Sequence, residues 1–193
     1  MEKICDSYST GALYDFVSRS ENLEEYRNIL ESLADQKQNW TYIINDIMKE
    51  RGLSASKMAE LCGVSRQSVQ KWLKGSGPKS RETYIKIGFA AHYNLKQMNY
   101  FLQRYGCVNK LYPKYLEDSV CIFVLSSDCI EHSYQACEKV INMIKNEIFD
   151  DVPRSEGKEY TTSALELDIT NLRSLQEMVS FVKEHAQMYK QKY

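Results

Sequence analysis

The sequence predicts an all-α fold, and three observations carry that prediction. Apolar residues recur at steps of three and four through most of the chain, the period of a helix with one buried face. Breakers are scarce, with 8 Gly and 3 Pro in 193 residues, too few to punctuate a series of short hairpins. No stretch needs the strict alternation of a half-buried strand. Hydrophobic residues at 43% provide for a packed core, and charged residues at 26% are ordinary for a globular chain.

The elements follow in order. Leu13, Phe16 and Val17 share one helical face within residues 10–34, and Leu23, Tyr26, Ile29, Leu30 and Leu33 share the next. Residues 36–40 read as a connector. A helix from Thr41 turns Ile43, Ile44, Ile47 and Met48 inward and ends at Arg51–Gly52. Ser54 is placed to cap Ala55–Cys62, with Gly63 suited to a left-handed turn at its end. Ser65 then caps Arg66–Lys74, and Gly75 closes it. Ser80 or Thr83 starts a helix through about Ala91, and Leu95–Tyr105 forms another before Gly106. Pro113 suits the first turn of a helix over roughly 114–125, which Ser126–Asp128 interrupts. Ile130, Tyr134, Cys137, Ile141, Ile144 and Ile148 then step by four and three, the clearest amphipathic run in the chain. Residues 150–160 read as a polar, flexible loop. A last helix over about 171–190 buries Leu172, Leu175, Met178, Val179, Val182 and Ala186.

The stretch Leu53–Pro78, "LSASKMAELCGVSRQSVQKWLKGSGP", has the parts of two short helices crossing at a tight turn. Ala59 is small where the helices approach, Gly63 tolerates positive φ, and Val64, Val69 and Trp72 pin the second helix. On a wheel of about 100° per residue, Trp72 and Leu73 lie near Val69, while Gln67 and Lys71 lie roughly 160° away, one turn apart. Lys74 extends that outer face, Ser68 and Gln70 flank it, and Arg66 stands at its entry. Gln can make two hydrogen bonds to adenine, and Arg or Lys can bond guanine O6 and N7. Arg66, Gln67, Gln70 and Lys71 are therefore the candidate base contacts. Ser54, Ser65, Lys74, Lys79 and Arg81 lie where the chain enters or leaves such a groove and are the candidate phosphate contacts. The partner these residues fit is double-stranded DNA.

Charge is distributed accordingly. Residues 41–110 hold 12 Lys/Arg against 4 Asp/Glu, a net of +8 inside a chain whose formal net charge is −1. Residues 1–40 carry −4 and residues 111–193 carry −5. A basic middle between acidic flanks is the footprint of a nucleic-acid-binding module carried by other material.

In register, Leu53-Ser54, Met58-Ala59, Gly63-Val64-Ser65, Val69, Trp72 and Gly75 resemble the lambda-repressor-like (Xre-type) helix-turn-helix family over about 41–105. The resemblance implies a five-helix bundle in which the positions of Arg66, Gln67 and Lys71 reach base edges. Two positions depart from it: Ala55 stands where the family often has Gln, and Leu73 where it often has Glu. The expected organisation is an N-terminal helical segment (1–40), a helix-turn-helix DNA-binding domain (41–110) and a C-terminal helical region for dimerisation or regulation (111–193).

Other chemistries find little support. "SSDCIEH" at 126–132 gathers Ser, Asp, Cys and His, but a triad is a geometry across a fold, and Ser127 or Asp128 as an N-cap explains the same letters. No phosphate-cradling glycine loop, HExxH or paired-carboxylate motif occurs, so no enzyme, cofactor or metal is expected. The six cysteines form no C-x-x-C and meet no paired histidines. The even spacing of Cys121, Cys129 and Cys137 is read as buried thiols. With no bilayer-length apolar run and no signal-peptide layout in "MEKICDSYST", the expected setting is the cytosol, with reduced thiols. The 14 tyrosines are read chiefly as packing residues rather than a single-strand stacking platform.

The flanks carry the remaining expectations. Small DNA-reading bundles act in pairs on paired half-sites, so a homodimeric repressor is expected; the stripe of 130–148 is either a dimer seam or core. Residues 9–30 also align with 161–182 without gaps, with Thr10, Ala12, Leu13, Leu23 and Glu25 matching Thr162, Ala164, Leu165, Leu175 and Glu177. A true duplication would pair the two ends. Thr10 and Thr161/Thr162 stand near helix starts, where phosphorylation by a kinase would add charge; N-capping is the simpler account of them. The alternative function is an adaptor or antitoxin-like protein whose helical flanks bind another protein.

Overall fold

The computed structural model describes residues 40–148 and 161–189, together with the single helical residue Glu24. Apart from Glu24, the helices expected within 10–34 and the first half of the aligned pair of segments lie outside the described residues, as do Thr10 and the loop expected at 150–160. The described residues form α-helices and one short 3-10 turn, with no strand among them. The fold is all-α.

Nine helices are described. The first five are α1 (Trp40–Glu50), α2 (Ala55–Cys62), α3 (Arg66–Leu73), α4 (Arg81–Ala90) and α5 (Leu95–Arg104). Their starts follow from side-chain caps. Ser54, Ser65 and Ser80 each accept a hydrogen bond from the backbone N–H three residues on, at 3.1–3.2 Å. Asn94 and Gln97 form a reciprocal capping box at the head of α5. α3 packs on α1 and α2, α2 on α4, and α4 on α5. Where α4 meets α5, Gly88 faces the thioether of Met98 so closely that a Cβ there would displace it.

An aromatic cluster sits in this bundle. Phe101, 1% exposed, lies 5.4 Å from Tyr93, 6.0 Å from Tyr84 and 6.1 Å from Trp40, centroid to centroid. Tilted and edge-to-face contacts of this kind add to area burial, and they account for several of the tyrosines as core.

α6 (Leu116–Ser126) is buried at nearly every position. It packs against α5, α7 (Tyr134–Ile148) and α8 (Thr162–Asn171), while α9 (Leu175–Glu184) covers α7. The described residues from Trp40 onward cluster as one unit, and the buried residues of the nine described helices join one core. The amphipathic run of α7 is used inside the chain: Cys137, Ile141 and Ile144 are buried. Core packing, rather than a seam between copies, consumes those three positions.

Three boundaries differ from expectation, each for a local reason. α6 begins at Leu116 rather than just after Pro113, because the Pro113 carbonyl accepts the Ser119 hydroxyl at 2.6 Å and Tyr112–Tyr115 forms a turn. α7 starts at Tyr134, with Ser133 Oγ accepting from Ala136 N–H. Ser127 is instead buried, its Oγ accepting from Cys129 N–H and lying 2.9 Å from Cys129 Sγ, while its carbonyl meets His132 Nε2 at 2.8 Å. The single helix expected at 171–190 is two pieces. Ser174 caps α9, Leu172 lies ahead of it, and the chain passes at His185 into a 3-10 turn over Ala186–Met188. Thr161 caps α8 by accepting from Ala164 N–H.

Candidate nucleic-acid interface

The helix pair α2–α3 is held by its turn. Gly63 adopts φ 61 and ψ 36, a left-handed conformation that costs other residues most. Its N–H donates to Glu60 O at 3.1 Å and that of Val64 to Ala59 O at 3.0 Å. These bonds close the orphan carbonyls of α2 and redirect the chain so that Ser65 opens α3 two residues later. Ala59 is 6% exposed, Val69 0% and Trp72 4%. Val64 and Leu73 pack half-buried at the edge of the same core. Leu73, where the resembling family often has Glu, thus serves as packing.

The opposite side of α3 is bare. Arg66, Gln67, Gln70 and Lys71 are all exposed, followed by Lys74 and Lys79, and α3 has no acidic residue in its first turn. Among the described residues none of these four cations pairs with a carboxylate. A helix of eight residues with only two fully buried positions is marginal by itself, so its outward side chains are carried by the packing of α1 and α2 behind it. Ser54 and Ser65 both act as caps. Ser54 Oγ and Ser65 Oγ accept from their own helices, and Ser65 Oγ also lies 3.0 Å from Ser68 Oγ. A hydroxyl that accepts in a cap still has a proton to offer outward.

Arg81 is placed differently from the other candidate phosphate contacts. Its guanidinium turns inward, with Nη1 and Nη2 each donating to an Asp118 carboxylate oxygen at 2.8 Å, and Nε and Nη2 to the carbonyls of Asn109 and Lys110 at 3.0 Å. Asp118 is 3% exposed and also accepts from Tyr112 N–H. A fork-to-fork pair of this kind is the strong form of an ion pair, and it leaves Arg81 one free N–H.

Asp118 was not singled out in the sequence, yet a signal was there. It is the acid nearest the middle of the apolar run Leu116–Leu125, and an acid inside a buried helix requires a cation or donors. Lys86 in "YIKIGFAA" gives the same signal on α4. Its ammonium bonds Glu82 at 2.8 Å and lies 4.8 Å from the centre of the Tyr134 ring. Burial pushes the Cys62 thiol, at the end of α2, up to about 12, with the Lys86 charge opposing. Cys121 and Cys137 are buried as expected of apolar thiols, whereas Cys107 and Cys129 are exposed. No group of His, Cys, Asp and Glu suited to a metal ion occurs among the described residues. No described helix is long and apolar enough to cross a membrane.

Residues 44–87 match the family model of a helix-turn-helix of the Xre/lambda-repressor-like type. The match runs from the middle of α1 to the middle of α4, so it spans the turn at Gly63, all of α3 and the loop carrying Lys74 and Lys79. It supports DNA binding by this segment. No curated protein and no solved structure matches the chain.

Proposed function

We propose that this chain is a sequence-specific transcriptional regulator that reads the major groove of double-stranded DNA with residues 66–74 and acts as a dimeric repressor. The observation that supports it is the division of α3: Val69 and Trp72 buried, with Arg66, Gln67, Gln70 and Lys71 uncovered on the other side. A short polar helix side without carboxylate partners is what base edges require. Arg66 and Lys71 suit guanine, and Gln67 and Gln70 suit adenine. Ser54, Ser65, Lys74 and Lys79 surround them as phosphate donors that set register. Arg81 stands outside that set, because Asp118 holds its guanidinium. One reading helix touches only a few base pairs, so useful specificity calls for two copies on half-sites about one helical turn apart. Bound there, a dimer represses by occupying the promoter.

Fluorescence anisotropy against the DNA upstream of the protein's own gene tests this, run at several salt concentrations. Gln67→Ala/Lys71→Ala should lose mainly specificity, about 1–3 kcal/mol per base contact removed. Lys74→Ala/Lys79→Ala should weaken all sequences alike and lower the salt slope by roughly 2. Absence of binding by the wild type at low salt would sink the proposal, and capture of a different protein by the helical flanks would then favour an adaptor role. Sedimentation of the chain with and without a two-half-site duplex checks the dimer.

A further inference from the structure

At the end of α2 and at the head of α4, α6 and α7 contact the segments that lead into and out of the reading helix. On its N-terminal side, the turn Leu61–Ser65 is met by the first turn of α7. Gln135 Nε2 donates to the Leu61 carbonyl at 3.3 Å. Tyr134, beside it, packs edge-to-face on Phe89 of α4 at 6.1 Å and lies under the Lys86 ammonium at 4.8 Å. That ammonium reaches the same turn, since a Cβ built on Gly63 would stand 3.9 Å from Lys86 Nζ. On the C-terminal side, the loop 74–80 runs directly into Arg81, which Asp118 of α6 holds by two bonds of 2.8 Å. The Asn109 and Lys110 carbonyls, and the Tyr112 N–H on Asp118, complete that lock.

These contacts are unlike ordinary core packing. The hydrogen bonds among them are directional and reach the last turn of α2 or the head of α4, the elements on either side of α3. Asp118 is buried and paired with Arg81, so losing either partner leaves the other's polar atoms unmatched. Lys86 sits between an aromatic face and the carboxylate of Glu82, a setting in which a partly desolvated ammonium gains most from the ring. α3 itself buries only Val69 and Trp72, and it cannot fix its own axis. Its seat is its packing on α1 and α2, and what holds the segments before and after it adds to that.

We propose that Asp118, Tyr134 and Gln135 are positioning residues of the DNA reader: they hold the turn 61–65 and the loop 74–80 from the C-terminal side, so that a partner or modification that shifts α6–α7 changes DNA affinity. The proposal builds on the DNA-reading assignment of α3. In mechanical terms, α6 and α7 are the back of the reading head, and the covering helices α8 and α9 lie on α6 and α7 respectively. A change that moves that pair is transmitted to both ends of α3 at once, through the Arg81–Asp118 fork and the Tyr134–Gln135 turn.

The experiment uses the full chain with Asp118→Asn, Tyr134→Leu and Gln135→Ala. Glu117→Gln is the control, because it breaks the exposed Lys145–Glu117 pair of 3.3 Å between the same two helices without touching the reading head. Amide hydrogen exchange is followed by mass spectrometry without DNA, and anisotropy is measured on specific and mixed-sequence duplexes. Tyr134→Leu and Gln135→Ala should speed exchange in 61–66, and Asp118→Asn in 74–80, by about tenfold with α6–α7 unchanged. Specific affinity should fall about tenfold while mixed-sequence binding changes little. Unchanged exchange in both segments would overturn the proposal, as would the same response from Glu117→Gln. A rise spread over the whole chain in Gln135→Ala, whose side chain is exposed, would also overturn it, since that contact would then hold the fold and not the reader. Local exchange that responds in a protein that binds no DNA would keep the clamp and remove the DNA reading; DNA binding without any local response would do the reverse. Gln135, exposed at the surface, keeps the test open if Asp118→Asn fails to fold.

Discussion

α3 and α6 are both short helices, eight and eleven residues, yet they use their surfaces in opposite ways. α6 buries Leu116 and the whole of Asp118–Leu125, whereas α3 buries Val69 and Trp72 and leaves its remaining side chains at or near the surface. The one buried charge on α6, Asp118, is matched by a forked cation. The charges on α3, Arg66 and Lys71, pair with no carboxylate among the described residues. Polar groups inside a protein are satisfied by protein. Polar groups left over on a rigid, well-capped helix are available for something outside it. The difference between scaffold and reader is therefore one of who satisfies the polar atoms.

That contrast can be broken by substitution, and the effects should descend in a definite order. Phe123→Ala, at 0% exposure on α6, should destabilise the fold by about 3–5 kcal/mol. Gln67→Ala on α3 should shift stability by no more than roughly 0.5 kcal/mol; urea denaturation of the two side by side checks both. If Gln67→Ala cost as much as Phe123→Ala, α3 would be scaffold. Asp118→Ala should come next. It strands a guanidinium whose side chain is 23% exposed, so the usual cost of a broken buried pair is softened by solvent to about 2–3 kcal/mol. The same loss from Arg81→Ala, with no further loss in the double variant, would show that the two act as a pair.

Ser65→Ala removes the cap on Ser68 N–H and should cost about 1 kcal/mol, read as a lowered denaturant midpoint at unchanged slope. The smallest effect at ordinary pH is a titration. Burial raises Cys62 to about 12, and burial with the nearby Tyr105 raises Tyr93 to about 12. Both folded values lie above the unfolded ones, near 9 and 10. The stabilisation is thus complete below pH ~9 and is lost as pH rises towards ~12. Denaturation midpoints should stay flat with respect to these two groups from pH 7 to 9 and fall above that. In the folded protein at pH 8 a thiol reagent should label Cys107 and Cys129 and spare Cys62, Cys121 and Cys137.

Much of the helix-turn-helix was legible in the residues. Ser54, Gly63 and Ser65 act locally, through bonds to neighbours three or four positions away, so their roles follow from spacing alone. Val69 and Trp72 against Gln67 and Lys71 is a matter of helical period, and the structure buries and exposes them in that pattern. The segment beyond Pro113 was less legible. Ser133 took the cap that Ser127 or Asp128 was expected to supply, and Ser174 started at Leu175 a helix expected from about 171. Cap-competent residues are common, and which one is used depends on where the following helix must dock.

Arg81 shows where sequence reasoning stops. By position it belongs with Lys74 and Lys79, at the exit from a groove; by contact it belongs to Asp118, 37 residues on. Nothing local distinguishes an arginine that faces solvent from one that turns inward to a buried acid, because the choice is made by a helix that arrives from elsewhere in the chain. What the sequence by itself determined is everything set by the helical period and by caps: an all-α chain, a turn at Gly63 and a polar side on α3. What only the tertiary structure decided is which polar atoms are already satisfied. Arg81 finds Asp118 37 residues away and Gln135 finds Leu61 74 residues away, and a buried charge takes its meaning from the group that neutralises it.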